Sequence, residues 1–538
     1  MNSSKKHWQK LQHDFNAELG QFVALNQDIL AELLTFIDFS EKFTLGFIEI
    51  NFPPDGELLI EALKTNSQCE EIQFVILKFA DPNLRFLRDA IIHELANIEK
   101  EANKKLVLII QGLEKSIGVF GEYPPFLQDL NFVRDAYKKT VPYPILFILP
   151  DYAINRLAKF APDFWAWRSG VFRFKTLEKT RENAIAQTLE SHIEIDRVEP
   201  QEKQERIEIL QSLLMEYKPT CEQTNDGNLR RYSNILLELG TAYISQHQAK
   251  TAREYLAEAL QIADKLADVN FQLQVLNKIG DAFAEERKFE TAINYYRQGV
   301  DIAKELKNRN GESYALFKLG NAYFDLRQFL KAKEYYQQCL KIYQELGKRN
   351  SQAGTYHQLG YVAQEMREYA QARDFYQQAL SIKIEFGDAF GGQSLRFSQA
   401  GTYHQLGRVA EEMREYAQAR DFYQQALSIF IEFGDAFGGQ SLRFSQAKTY
   451  HQLGRVAEEM REYAQARDFY QLALSIKIEF GDRYSQASTY HCLGILAETQ
   501  EDYTEARVNL QTALEIYVEY KDEYWGNIAR ENLERLPE

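Results

Sequence analysis

Residues 351–397, SQAGTYHQLGYVAQEMREYAQARDFYQQALSIKIEFGDAFGGQSLRF, return as residues 398–444 with three changes: Arg408 stands for Tyr361, Glu411 for Gln364 and Phe430 for Lys383. Such near-identity marks a recent duplication, and it supplies the phase for reading the chain around it. A Leu-Gly or Ile-Gly pair recurs at Gly240, Gly280, Gly320, Gly360, Gly407, Gly454 and Gly494, at spacings of 40, 40, 40, 47, 47 and 40 residues. Twelve residues after each glycine stands alanine: Ala252, Ala292, Ala332, Ala372, Ala419, Ala466 and Ala506. Nineteen residues after it stands another small residue: Ala259, Gly299, Cys339, Ala379, Ala426, Ala473 and Ala513. A fixed period of this length is the mark of a repeat architecture.

Between these landmarks the apolar spacing is helical, as in Tyr369, Ala372, Phe375, Tyr376, Ala379 and Leu380. Each unit is therefore expected to be a pair of antiparallel helices. Glycine inside a helix costs roughly 0.5–1 kcal/mol relative to alanine. Its return at one phase points to a steric demand, since two helices approach closely only where side chains are missing or small. The seven-residue addition AFGGQSL (389–395), with its paired glycines, is expected to be an inter-repeat loop rather than a longer helix. The amphipathic tail from Tyr524 to Leu536 is expected to cover the last repeat as a terminal cap.

This pattern resembles the tetratricopeptide repeat over roughly residues 230–520, with units of 40 or more residues in place of 34 and without the proline that closes the second helix. The resemblance implies that the first helices line a concave face that grips an extended peptide or a partner helix. With glycine as phase marker, the residues three before it and one, four and five after it point inward. In the fourth to sixth units these are His357, Tyr361, Gln364 and Glu365; His404, Arg408, Glu411 and Glu412; and His451, Arg455, Glu458 and Glu459. Their paired carboxylates favour a basic or hydrogen-bonding partner segment, unless they are spent on neighbours at i, i+3 or i, i+4. Asn277, Lys278, Lys318 and Asn321 partly resemble the Lys/Asn clamp with which some tetratricopeptide domains hold a C-terminal carboxylate. The recurring His357, His404, His451 and His491 are copies of one repeat position without carboxylate or cysteine at ligand spacing, so no metal is expected.

Upstream of residue 200 the grammar changes. After two helices (5–18 and 21–40), apolar strand-like runs at 44–51, 72–79, 105–111, 144–149 and 171–175 alternate with helical segments at 55–64, 84–99, 125–138 and 151–160. Alternation of this kind predicts an α/β domain with a mainly parallel sheet of about five strands, flanked by helices, ahead of an all-α solenoid. The expected organisation is an α/β domain at 1–200, a helical linker at 201–229, seven helix pairs at 230–522 and a capping helix at 523–538.

A phosphate-binding loop should follow the first strand. The residues there, Asn51-Phe52-Pro53-Pro54-Asp55-Gly56-Glu57, include two prolines without N–H and two acids that repel phosphate. LVLIIQGLE (106–114) nonetheless looks like a Walker B strand, and PILFIL (144–149) like the strand that follows it. The stretch after it, RLAKFAPDFWAWRSGVFRF, is similar to the corresponding part of bacterial STAND proteins, signal-transduction ATPases with numerous domains. That resemblance places Gln111 where a magnesium-binding aspartate belongs, Glu114 at the catalytic acid position, and Arg156 or Arg168 as charge sensors. The neutral amide and the disabled loop point to a module without hydrolysis, Glu114 being the sole catalytic candidate; no cofactor is expected. A faint PD…ExK pattern at Pro54, Asp55, Glu61 and Lys64 lies on one predicted helix, where a nuclease would need adjacent strands.

Composition sets outer bounds. With 538 residues, 45% hydrophobic and 26% charged, the chain is globular and too long for one core. A formal charge of −15 makes nucleic acid an unfavoured partner. The opening MNSSKKHWQKLQHDF lacks an apolar signal core and no run is long enough to span a bilayer, so a cytoplasmic protein is expected. Cys69, Cys221, Cys339 and Cys492 form no CxxC pair and read as reduced packing residues. The expected function is a scaffold or sensor whose repeats bind a protein or peptide, with a regulatory, inactive first domain. The alternative is a nucleotide-dependent switch controlling association with further copies of the chain.

Overall fold

Five strands, β1 (Thr44–Glu49), β2 (Ile72–Lys78), β3 (Lys105–Gln111), β4 (Pro144–Leu149) and β5 (Arg168–Arg173), form one sheet in the order β2-β3-β4-β1-β5, each neighbour parallel. Alternate residues feed opposite faces, as the pleat requires. Leu106, Leu108, Ile110, Ile145, Phe147, Leu149, Leu45 and Phe47 enter one core; Val107, Ile109, Leu146, Ile148 and Ile48 enter the other. The second face is covered by α1 (Asn2–Leu25), α2 (Gln27–Phe39) and α3 (Pro53–Thr65), through Phe22, Leu33, Ile37, Leu59 and Leu63. The first carries α4 (Leu87–Leu95), α5 (Glu114–Ile117), α6 (Pro125–Phe132), α7 (Arg134–Thr140), α8 (Asp151–Phe160) and α9 (Pro162–Trp165), through Ile91, Leu127, Tyr137, Leu157 and Phe164. Gly46 is demanded by this packing: a Cβ there would lie 2.7 Å from Leu146 and 2.9 Å from Phe36.

The computed structural model describes residues 2–118, 124–132, 134–189, 200–219, 225–390, 393–437 and 440–537, which form two compact units, Met1–Glu286 and Arg287–Glu538. Beyond the sheet come α10 (Glu178–Thr188), α11 (Pro200–Tyr217) and the repeat helices α12 (Asp226–Ser245), α13 (Ala249–Lys265), α14 (Val269–Glu285), α15 (Phe289–Glu305), α16 (Arg309–Asp325), α17 (Phe329–Glu345) and α18 (Arg349–Glu365). Then follow α19 (Tyr369–Phe390), α20 (Gln393–Glu412), α21 (Tyr416–Phe437), α22 (Gln440–Glu459), α23 (Tyr463–Glu479), α24 (Arg483–Thr499), α25 (Tyr503–Glu519) and α26 (Glu523–Arg535). Helices of 17 residues separated by three-residue links, as from α14 to α18, account for the 40-residue period.

The links follow one recipe. After α15, Lys307 takes a left-handed conformation at φ 53° and Asn308 N–H returns to Ala303 O at 2.8 Å, closing the old helix. The Asn308 side chain then accepts from Gly311 N–H at 2.9 Å and opens the next one.

The AFGGQSL addition departs from expectation. Its flanks are helical: α19 and α21 run to 22 residues and α20 and α22 to 20, so the addition lengthens both helices of the pair. The paired glycines at 391–392 and 438–439 lie outside the described residues, as does Cys221. Gln393, Ser394 and Leu395 are compatible with helix, which is how α20 begins. Boundaries also moved: 125–138 is two helices, and β5 begins at Arg168. At the end of the repeats, Ala529 of α26 packs on Ala513, Ile516 and Tyr517, and Leu536 on Leu510.

The register of small residues holds. The alanines twelve residues after the glycines are 0% exposed throughout. A Cβ on Gly320, Gly360, Gly407 or Gly454 would come within 2.5–2.6 Å of the ring of Tyr336, Tyr376, Tyr423 or Tyr470, and on Gly240 or Gly494 within 2.5–2.6 Å of Leu256 or Leu510. The residue that requires each of these glycines thus stands sixteen positions later, on the second helix.

Candidate functional site

In the second unit that glycine gap does more than admit a ring. The buried tyrosine ring packs against it, and its hydroxyl reaches a side chain of the first helix. Tyr376 donates to Gln364 at 3.1 Å, Tyr423 to Glu411 at 3.0 Å and Tyr470 to Glu458 at 2.9 Å. Glu411 also meets the Arg455 guanidinium of the next unit at 2.9 Å. Burial pushes its carboxyl up, and Arg455 opposes that shift. Tyr369 and Tyr416 donate to Glu412 and Glu459 at 3.2 and 3.0 Å.

Six of the twelve residues expected to line the groove, His404, Arg408, Glu411, Glu412, His451 and Arg455, surround one cavity of about 500 Å³. His357, Tyr361, Gln364, Glu365, Glu458 and Glu459 are not part of it. Tyr361 is edge-on to His357 and Tyr376, with ring centroids 5.0 and 5.9 Å away, and accepts from the Gln405 amide at 2.9 Å. The cavity gains Gln405, Phe444, Lys448, Gln452, Lys477, Ser485 and Ser488, which the sequence reading missed. One signal was present for Lys448: six residues before the glycine the duplicated units carry Gly354 and Gly401, whose added Cβ would meet nothing within 4 Å, and the third copy carries lysine.

The charge balance reverses the expectation of a groove for basic segments. Its carboxylates are engaged by tyrosine and arginine, whereas Arg408 and Lys448 have no carboxylate within ion-pair distance among the described residues. Arg408 donates to Gln405 at 3.3 Å, and the Lys448 ammonium lies 4.5 Å over the Phe444 ring. The histidines are held between units: His357 Nδ1 faces the Thr402 hydroxyl at 3.2 Å, His404 that of Thr449 at 3.2 Å, and His451 that of Thr489 at 3.3 Å. Burial, helped by nearby cations, pushes them down to about 3, 4 and 3, so they are neutral at neutral pH. Behind two of them sits a buried lysine. Lys383 donates to Thr402 and Lys477 to Thr489, each at 2.7 Å, and desolvation brings both ammonium groups down to about 8.

The sheet unit carries a second cavity, of about 590 Å³, at the carboxyl ends of β1, β3 and β4, where open α/β sheets place ligands. Asn51, Phe52, Pro53, Pro54 and Gly56 bring the β1–α3 turn into its wall, and Gln111 and Glu114 bring the end of β3. The turn is built around its own acid. Asp55 is 1% exposed and accepts from the Thr180 hydroxyl at 2.7 Å and Leu177 N–H at 3.3 Å, and desolvation pushes its carboxyl up to about 6. Asn51 is tied to Glu216 at 2.8 Å and to Asp151 N–H at 3.0 Å. Burial raises Glu114 as well.

Neither arginine considered as a charge sensor lines this cavity. Arg156 lies 5.2 Å from the Phe160 ring centre and Arg168 4.5 Å from that of Trp165. The lid comes from α11 through Glu205, Glu208, Ile209 and Ser212, a segment read from sequence as a linker. The four clamp-like residues have separate surroundings: Lys278 meets Asp281 at 3.6 Å, Lys318 the Tyr314 ring, and Asn321 accepts from Tyr336 at 2.6 Å; Asn277 is buried with Oδ1 unpartnered. Among the described residues no group of three or more His, Cys, Asp or Glu is placed to hold a metal, and no helix is long and apolar enough to cross a membrane.

Residues 231–305, 312–385 and 445–526 match a tetratricopeptide-repeat family model, and residues 400–430 match a second one. The repeat region is a tetratricopeptide array, following the parallel-sheet region. No curated protein sequence matches the chain. Similar solved structures include the apo form of RapI (16% identity, TM-score 0.47, 66% of this chain and 96% of that one) and BtubC from P. vanneervenii (21%, 0.38, 44% and 92%). The apo quorum sensor NprR from B. thuringiensis is another (14%, 0.41, 66% and 99%). The repeat assignment rests on the family match and on the packing at the glycines.

Proposed function

We propose that the tetratricopeptide array is a receptor for a segment of a partner protein, and that the segment places an acidic group in the cavity between α20, α22 and α24. The observation that carries this reading is the pair of cations without carboxylates, Arg408 and Lys448, beside carboxylates already engaged. A partner carboxylate entering there gains charge-assisted hydrogen bonds without displacing an internal ion pair. In the same reading, residues 1–200 are a regulatory α/β domain related to the STAND nucleotide-binding module, 201–229 a helical segment, 230–522 the repeats and 523–538 the cap. The turn at Pro53 and Pro54 and the buried Asp55 support a domain that does not hydrolyse nucleotide.

The test is fluorescence anisotropy on the full chain with two labelled peptides of equal length, one rich in Asp and Glu and one in Lys. The acidic peptide binds, and the Arg408→Glu, Lys448→Glu double variant loses at least tenfold in affinity. Preference for the basic peptide, or an unchanged double variant, refutes the reading. Calorimetry with Mg-ATP addresses the nucleotide switch, which predicts micromolar binding weakened by Glu114→Ala.

A further inference from the structure

The charges around the sheet-unit cavity do not cancel among themselves. Three lysines line it, and each meets a carboxylate: Lys78 with Glu57 at 2.7 Å, Lys115 with Glu205 at 3.8 Å, and Lys179 with Glu18. Glu114 and Glu208 line it too, and neither has a cation within ion-pair distance among the described residues. Glu208 accepts from the Gln204 amide at 3.0 Å. Beside them Tyr152, 9% exposed, has a hydroxyl without a hydrogen-bond partner, and Oε1 of Gln111 is buried without one as well. Both carboxylates act on the Tyr152 phenol electrostatically, and Glu114 acts on Glu208, so the three acids face a common region. Ile50, Phe52, Ile148 and Ile209 supply apolar wall. Lys115 acts favourably on both carboxylates from beyond ion-pair distance, and Glu114 also accepts from backbone N–H groups, so the two are only partly compensated, and buried polar groups without full partners are costly.

We propose that this cavity is a binding site for an organic ammonium ion carrying an apolar body. The ammonium donates to Glu114, Glu208 and the unpartnered oxygen of Tyr152, while the hydrocarbon lies against Ile50, Phe52 and Ile148. An ammonium group supplies three donors and one positive charge, matching what the site lacks. A volume near 590 Å³ fits a small molecule. A phosphate meets the same two carboxylates and is repelled. A metal ion is disfavoured by the lack of a third His, Cys, Asp or Glu placed with them among the described residues.

The experiment is calorimetry on the full chain with phenethylammonium, hexylammonium and tryptammonium chlorides, alongside 2-phenylethanol as the neutral counterpart of the first. At least one ammonium binds, and phenethylammonium exceeds 2-phenylethanol by at least tenfold. Glu114→Gln and Glu208→Gln each lower ammonium affinity at least tenfold, and Tyr152→Phe lowers it a few-fold. Equal affinity for amine and alcohol, no heat with any of the three amines, or full affinity in the Glu114→Gln, Glu208→Gln double variant overturns the proposal. The thermal shift given to the wild-type chain by amine and not by alcohol supplies a readout that no variant's folding can compromise.

Discussion

The two cavities are of similar volume and carry opposite unspent charge. In the sheet unit every lining lysine meets a carboxylate and two glutamates are left over; in the repeat unit the glutamates are engaged, and Arg408, Lys448 and Lys477 have no carboxylate within ion-pair distance among the described residues. Residue composition alone points the wrong way for the second, which was read as a bed of carboxylates. What decides the sign is which charges the fold has already matched, and a matched pair has little to offer a ligand.

The sharpest way to break the comparison is to titrate the buried acid that shapes the first cavity. Asp55 titrates at about 6 in the fold against an ordinary value near 3.9, so its contribution is full below about pH 4 and is lost as pH rises through 6. Asp55→Asn should therefore gain on wild type by about 2–3 kcal/mol between pH 4 and 7, superimposed on a constant offset for the altered hydrogen bonds. Paired chemical denaturation at the two pH values measures it, and a pH-independent difference contradicts it.

Next in size is the frame of the second cavity. Ala419→Leu at a fully buried crossing, and Gly407→Ala against the Tyr423 ring, should each cost roughly 1–3 kcal/mol and weaken acidic-peptide binding, leaving ammonium binding at the sheet cavity intact. An unchanged melting temperature in both variants would dissolve the repeat register.

A smaller effect tests whether the buried lysine matters to the groove. The duplicated unit already offers the answer that Phe430 fits where Lys383 does, both being buried. Lys383 is depressed to about 8 from an ordinary value near 10.4, so the penalty on its charged form builds as pH falls from about 10.4 to 8 and is complete below that. Lys383→Phe should stabilise the chain by about 1 kcal/mol at pH 7, less at pH 9, as denaturant midpoints will report. Smallest of all, Gly354→Ala, in a helix with open space at its Cβ, should gain up to about 1 kcal/mol, a control for the crowded Gly407.

Much of this fold was legible because its cause is local and repeated. A missing Cβ every 40 or 47 residues is a steric instruction that one sequence displays openly, and strands buried on both faces announce themselves as apolar runs. The lid of the sheet cavity was not legible, since Glu208 and Ile209 arrive from beyond the alternating pattern. Nor was the sign of the groove, because Glu411 is matched by Tyr423 from its own second helix and by Arg455 from the next unit, contacts spaced 12 and 44 residues apart. The AFGGQSL reading failed for a simpler reason: two glycines were weighed above five neighbours that tolerate helix.

The near-identical units meet their successors through the same handshakes: Tyr369 with Glu412 is repeated by Tyr416 with Glu459, and Arg373 with Glu415 by Arg420 with Glu462. Excising residues 398–444 would bring together surfaces that are already complementary, so the gene can shed or gain a whole module in one recombination event without inventing a new joint. The shortened protein would not be equivalent, since Tyr361 would then stand in the place of Arg408 and Gln364 in that of Glu411, so the docking face would lose one arginine and Arg455 its carboxylate partner. Copy number in this stretch thus becomes a dial on recognition, adjustable while the Tyr–Glu and Arg–Glu joints between units are kept.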